Sequence, residues 1–235
     1  MDLPQLIQYD KELLLTLNCS DSLFVDAMID TLTTATTWIP LYISLFILVL
    51  KNNENVRQIL LVVACAALCV VLAGTIDDTF VKPSVARWRP AQDPEIGMLV
   101  DVVDGYRGGR YGFFSAHAAN TFSIAIFFSL LIRNGLFATG MICWSLVNCW
   151  TRIYLGVHYP GDILAGLLWG GLVGTLVFFL YRRISHKRLI NANFISSQYT
   201  LTGYQLSDVD LVLTTLAATW IYALGKACIV GGTLL

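Results

Sequence analysis

Charge is scarce in this chain. Of its 235 residues only 13% are Asp, Glu, Lys or Arg, whereas 56% are hydrophobic, and the mean hydropathy is +0.67. That balance excludes an ordinary soluble domain and makes the bilayer the solvent. Net basicity is also missing: the formal charge is −1, so nothing draws the chain to nucleic acid and no such partner is expected. Metal-type spacing is absent as well. Cys65, Cys69, Cys143, Cys149 and Cys228 lie inside apolar segments and form no CxxC or Cys/His box, so they read as small core residues with neither a disulfide nor a metal role. The opening MDLPQLIQYDKELLLTLNC lacks the order of a signal peptide, a basic start followed by an apolar core and a small-residue cleavage site. The N-terminus is expected to be retained.

What is present in quantity is apolar sequence in long runs. About 20 residues of helix cross a hydrocarbon core of roughly 30 Å, and such runs recur with short polar gaps. The expected fold is an all-α polytopic membrane bundle of about six transmembrane helices with an N-terminal interfacial helix. Spans are expected over residues 32–50, 59–74, 116–132, 135–150, 162–181 and 211–228. Residues 1–30 mix Leu, Ile and Phe with charges at helical spacing and read as the interfacial segment. The core is then 31–185, with catalytic loops at 75–114 and 151–162, a polar linker at 186–207 and an additional helix in 208–235.

Threading six spans in order puts Lys51, Arg57, Arg133, Arg182, Arg183, Lys187 and Arg188 on one side, which the positive-inside rule makes cytoplasmic. Asp2, Asp10, Glu12, Asp21, Asp26 and Asp30 stand against Lys11 alone at the start of the chain, favouring export. Both polar loops then share the outer face. The first of them carries Lys82, Arg87, Arg89, Arg107 and Arg110, and basic residues on a translocated side make sense where they bind an anion.

Three segments of that face concentrate chemistry: Lys82 to Arg89-Pro90, then Phe114-Ser115-Ala116-His117, then Thr151-Arg152 through His158 to Asp162. Phosphate, with charge spread over several oxygens, calls for forked Arg donors and a Lys point charge; Lys82, Arg89 and Arg152 supply them. Ser115 precedes an apolar helical run and is a candidate N-cap, aiming free N–H groups and a positive dipole end at the same face. Only three histidines exist, and two are here. His158 sits four residues before Asp162 across Pro160-Gly161, a turn able to bring carboxylate to imidazole. A carboxylate on one ring nitrogen leaves the other as a nucleophile, and His117 is free to protonate the leaving alkoxide. Gly166, Gly170 and Gly174 continue the stripe of Asp162 at intervals of four, so another helix can approach closely there.

Lys82 with six residues before Arg89-Pro90, Ser115-x-His117, and Arg152 followed by His158 and Asp162 together resemble the type-2 phosphatidic acid phosphatase family over roughly residues 30–185. The resemblance implies a metal-free lipid phosphatase without a cofactor. In it Lys82, Arg89, Ser115 and Arg152 hold the phosphate, His158 attacks phosphorus, Asp162 orients it, and His117 protonates the departing group. Water then hydrolyses the phosphohistidine. The sequence departs from the family pattern at Phe114 and Ala116, where Pro and Gly are usual, and at Thr151, where Ser is usual. The expected partners are the bilayer and a phosphorylated membrane lipid: phosphatidylglycerol phosphate, phosphatidic acid, a polyprenyl diphosphate or a glycolipid phosphate. The expected location is a bacterial inner membrane, with the site facing the periplasm.

Gly105, Gly108, Gly109 and Gly112 match no P-loop and read as a flexible loop outside the site. Asp77, Asp78, Asp101 and Asp104 read as partners of neighbouring Arg in a solvated loop rather than as a metal cluster. Three rival functions stand beside the hydrolase. A non-enzymatic phospholipid transporter has no need of His158 with Asp162, a phosphotransferase would use the same residues, and a vanadate-dependent haloperoxidase is disfavoured by the hydropathy.

Overall fold

Helix starts are fixed by side chains that accept otherwise unpaired backbone N–H groups. In the computed structural model, which describes residues 2–18, 22–185 and 197–232, Asp2 and Gln5 form a reciprocal capping box at the head of α1 (Leu3–Leu17). A second helix, α2 (Leu23–Thr33), leads through a tight turn at Ala35–Trp38 into α3 (Ile39–Lys51). Next comes α4, a continuous helix over Val56–Val85. Ser115 caps α5 (Ala116–Ile132), accepting from the Ala118 N–H. Arg133 then adopts a left-handed conformation (φ 54°), and Asn134 caps α6 (Gly135–Tyr154) by accepting from the Phe137 N–H at 2.9 Å. Two long helices follow, α7 (Pro160–Ser185) and α8 (Leu206–Gly232).

The expected all-α membrane bundle is what the chain forms. By length and composition α4, α7 and α8 can each cross a membrane, and α2 with Ala35–Lys51 makes a fourth candidate span bent by 66°. The shorter apolar α5 sits among them. Its core, from Leu45, Leu48 and Cys69 to Phe127, Phe137, Met141 and Trp144, is buried between the helices.

The face of α7 divides cleanly. Leu164, Leu168, Leu172 and Leu176, four residues apart, are all exposed, while Gly166, Gly170 and Gly174 meet α5. A Cβ on Gly166 would lie 2.7 Å from the Ser115 carbonyl oxygen and one on Gly174 would lie 2.5 Å from that of Ser123; one on Gly170 would overlap the Ala119 carbonyl. Backbone therefore rests on backbone along this seam, as the stripe implied.

Four expectations need correction. The segment 75–114 is not all loop: α4 continues to Val85, where Ala86 ends it in a left-handed conformation (φ 50°). Hydropathy falls there, but Asp77 and Asp78 pair with Lys82 along the helix, so charge is accommodated without ending it. Two wide, π-type turns, Val71–Thr75 and Asp77–Val81, lie in the same stretch. Second, the first 30 residues are not one interfacial appendage, because α2 packs against α8 and α6 as part of the bundle. Third, Cys143 and Cys228 are exposed, whereas Cys65, Cys69 and Cys149 are buried; all five are free thiols. Fourth, Asp77 is fully buried and partners a lysine, not a solvated arginine. Part of the 186–207 linker, residues 186–196, lies outside the described residues.

One end of the bundle is tied by Lys51 to Asp208, by the Gln205 N–H to Asn52 Oδ1 at 2.7 Å and by Thr202 Oγ1 to the Ile132 carbonyl at 2.7 Å. The opposite end holds the candidate residues picked out above.

Candidate active site

Between α6 and α7 the chain turns within five residues, with Gly156 in the left-handed region (φ 62°). The turn delivers His158 and Asp162 into the protein interior, 1% and 0% exposed. Asp162 is held from three directions. Its Oδ1 accepts from Arg87 Nη1 at 2.7 Å, its Oδ2 from the Tyr159 N–H at 3.0 Å, and its carbonyl from the Ser115 N–H at 3.1 Å. His158 Nδ1 lies 3.7 Å from Asp162 Oδ2, just beyond hydrogen-bond reach, and has no other partner. Burial above all pushes the His158 imidazole down to about 4; Asp162 opposes this, and Arg89 and Arg152 add to it. The ring is therefore neutral at neutral pH, with a lone pair available.

Around it stand the basic groups. Residues 87–91 and 108–112 run antiparallel, tied by Arg89 N–H to the Arg110 carbonyl at 3.1 Å and Gly112 N–H to the Arg87 carbonyl at 2.9 Å. Arg89 Nε donates to the Tyr111 carbonyl at 3.1 Å, which fixes the plane of its guanidinium. Arg152 is buried in the last turn of α6; Nη1 donates to Thr33 Oγ1 at 2.6 Å, and Nε has no protein partner. Lys82, on the last turn of α4, is held by Asp77 at 2.9 Å and Asp78 at 2.5 Å. The other Asp77 oxygen accepts from the Phe114 N–H at 3.1 Å, so α4 and the Ser115 segment are locked together. His117 stands at the head of α5, where Arg152, Lys82 and Arg89 are the charged groups nearest in effect. All seven sequence-selected residues thus gather at one end of the bundle: His158, Asp162, His117, Lys82, Arg89, Ser115 and Arg152.

Sequence reasoning missed four others. Gly112 belongs to the site after all, since a Cβ there would lie 3.0 Å from Arg89 Cγ, 3.4 Å from Asp162 Oδ2 and 3.5 Å from His158 Nδ1. At Gly108 a Cβ would come within 2.6 Å of Arg89 Nη1. These glycines give close approach, for which the only signal was their interleaving with Arg. Arg87 grips Asp162, and Thr33 orients Arg152; neither has a local signature. The family departures are absorbed without loss of a charged group. Phe114 is buried against Trp169, with ring centroids 6.3 Å apart, and Thr151 Oγ1 donates to the Asn148 carbonyl at 2.7 Å within its own helix.

The sequence pattern of the PAP2 superfamily matches residues 33–186. The chain belongs to the PAP2 superfamily. Among curated PAP2-type relatives, the lipid A 4'-phosphatase of Bacteroides thetaiotaomicron is 39% identical over 178 residues, 75% of this chain and 78% of that protein. The lipid A 4'-phosphatase of Porphyromonas gingivalis is 33% identical over 178 residues, 75% of this chain and 74% of that protein. A more distant relative, the lipid A 1-phosphatase of Rhizobium etli, is 27% identical over 48% of each chain. No solved structure matched the chain.

The PAP2 match spans α3 to the end of α7, the stretch of chain that contains all seven residues. It leaves out α1, which nonetheless touches the site through Asp10.

Proposed function

We propose that this PAP2 protein is a membrane phosphatase that removes a phosphate monoester from a glycolipid of the lipid A class, through a phosphohistidine on His158. The observation that carries the reading is the buried pair of His158 and Asp162 set beside Arg89 and Arg152, a nucleophile with its orienting carboxylate facing guanidinium donors. The substrate class is supported by two relatives named lipid A 4'-phosphatase that align over three quarters of this chain.

In this reading the phosphate lies against Lys82, Arg89, Arg152 and the N-terminus of α5 at Ser115, whose hydroxyl accepts from the helix and keeps its own proton to donate. His158 Nε2 attacks phosphorus as the P–O bond to the sugar breaks, and His117, which takes up a proton once the bound phosphate anion offsets the charges of Arg152, Lys82 and Arg89, gives that proton to the departing alkoxide. Asp162 tightens onto Nδ1–H as the ring gains positive charge. Water, deprotonated by His117, then attacks the phosphohistidine; phosphate leaves and His158 returns to its neutral form. Such closing of a loose apo contact is expected in the reacting complex. With basic residues at the far end held inside, the site opens on the periplasmic face of a bacterial inner membrane.

The test is phosphate release by purified protein in detergent, with chelator present, from lipid A, phosphatidylglycerol phosphate, phosphatidic acid and a polyprenyl diphosphate. Release by wild type that is abolished in His158→Ala and His117→Ala, and that is fastest on lipid A, is the expected result. Equal release by the variants overturns the mechanism, and a preference for another lipid overturns the substrate. Recovery of the phosphoryl group on a second lipid instead of in water identifies a phosphotransferase.

A further inference from the structure

The carboxylate of Asp10 lies far outside the matched motifs yet reaches into the site from α1. Its Oδ2 accepts from Arg87 Nη2 at 2.7 Å and its Oδ1 from the Gly161 N–H at 2.8 Å. Gly161 stands in the first turn of α7, so Asp10 supplies from another helix the acceptor that an N-cap residue would supply locally. Arg87 is thereby held between two carboxylates, Asp10 and Asp162, while its guanidinium carbon lies 4.2 Å over the Tyr159 ring. Tyr159 is in turn fixed by its hydroxyl, which donates to Asp93 Oδ2 at 2.7 Å, and Lys11 on α1 pairs with Asp93 at 3.3 Å and Glu95 at 2.6 Å. At its C-terminal end α1 is pinned by Asn18, which donates to the Tyr154 carbonyl at 2.7 Å and accepts from the Asp101 N–H at 2.8 Å.

We propose that Asp10 is a positioning residue for the phosphatase reaction: by fixing both Arg87 and the first turn of α7, it holds Asp162 in register with the His158 ring. The inference rests on the reading of His158 and Asp162 given above. Three constraints meet on one short turn. Arg87 fixes one Asp162 oxygen, the N–H of Tyr159 fixes the other, and Asp10 fixes the residue between, so the carboxylate is held 3.7 Å from His158 Nδ1 and has little to move before it closes on the ring. Removing Asp10 leaves Arg87 free to swing and take both Asp162 oxygens in a fork, which draws the carboxylate away from the imidazole. A second strand of the argument concerns where α1 sits. Leu3, Leu6, Ile7 and Tyr9 are exposed on a helix whose Asp10, Lys11 and Leu14 face the protein. Such a helix lies in the interfacial plane of the bilayer, so the clamp on Arg87 is seated in lipid on its other side.

The experiment compares wild type, Asp10→Ala, Asp10→Asn, Arg87→Ala and the Asp10→Ala/Arg87→Ala double variant, all full length in detergent, with vanadate binding used to count intact sites. Phosphate release per intact site is expected to fall roughly ten- to a hundredfold in kcat for Asp10→Ala, as a displacement of the order of an ångström costs, with KM within about threefold. Asp10→Asn is expected to fall in between, because it still accepts from Gly161 but no longer balances Arg87. The double variant is expected to match the worse single one, since both act through one linkage. A charge readout separates this from simple loosening. Facing His158 are Asp162 on α7, Arg152 on α6, His117 on α5 and Arg89 from the loop; loss of the Asp10 charge leaves Arg87 less compensated behind Asp162 and moves the acid limb of kcat to lower pH. The inference is overturned if Asp10→Ala keeps kcat per intact site within twofold of wild type, if the two single effects multiply, or if the acid limb stays in place. If His158→Ala itself retains wild-type turnover, it is the phosphatase reading that has failed.

Discussion

Replacing Gly166 with Ala is the sharpest test of how the bundle builds its site. Gly166 lies one turn beyond Asp162 on α7, and the added Cβ would sit 2.7 Å from the Ser115 carbonyl oxygen and 3.0 Å from Ala118 Cβ. Ordinary contact begins at 3.4 Å, so the two helices must part by about 0.7 Å, a displacement for which rates fall by roughly a hundredfold per ångström at worst. Helix propensity works the other way, since Ala in a helix is favoured over Gly by about 1 kcal/mol. Overpacking costs about 1–3 kcal/mol, and because the obstructing oxygen is backbone, the overpacking term wins. The expected result is a net loss of about 1 kcal/mol in stability and a fall of roughly tenfold in kcat, because the 3.1 Å bond from Ser115 N–H to the Asp162 carbonyl lies across the widened seam. Gly225→Ala is the matched control, as nothing lies within 4 Å of its added Cβ; it is expected to keep full activity. Phosphate release and denaturation in detergent read both quantities. Wild-type activity and stability in Gly166→Ala would refute the claim that the glycine seam sets the distance between the two halves of the site.

Acid stability should report on His158. Its pKa is pushed to about 4 in the folded protein, below the unfolded value near 6.5, so the unfolded chain takes up the proton first. The stability owed to the neutral ring is complete above pH 6.5 and is lost as pH falls towards 4, an effect of up to about 3 kcal/mol. The stability gap between wild type and His158→Gln should therefore shrink over that window; a gap independent of pH contradicts the assignment. Arg152→Lys keeps the charge but loses the fork and the 2.6 Å bond to Thr33, and should lower kcat/KM roughly tenfold or more. Thr33→Val should reproduce a smaller part of that loss, and no effect in either would mean that Arg152 does not face the phosphate.

The candidate motifs were legible because each is a short run whose residue types and spacing carry their chemistry locally: Ser115 before an apolar run is an N-cap wherever the helix packs, and His158 four residues from Asp162 shares a turn with it. Other contributions had no such signature. Thr33 lies 119 positions from Arg152, and Asp10 lies 77 from Arg87. Hydropathy also misled over residues 75–85, since it measures affinity for lipid, whereas the backbone of α4 stays helical wherever its charges find partners, as Asp77 and Asp78 do in Lys82. Gly108 and Gly112 match no phosphate-cradle pattern and read as a flexible loop, and only the fold shows that their missing side chains leave room for Arg89 and, at Gly112, for Asp162 and His158.

Bilayer residence, a helical fold and the identity of the seven candidate residues were therefore properties of the chain itself, since burial preference and side-chain chemistry belong to residues and short segments. Tertiary structure alone decided that α1 reaches the site, that α4 carries Lys82 on helix and not on loop, and that Arg87 stands between Asp10 and Asp162. Those outcomes depend on which distant groups share one small volume, and an ion pair or a backbone contact acts over a few ångströms regardless of separation along the chain.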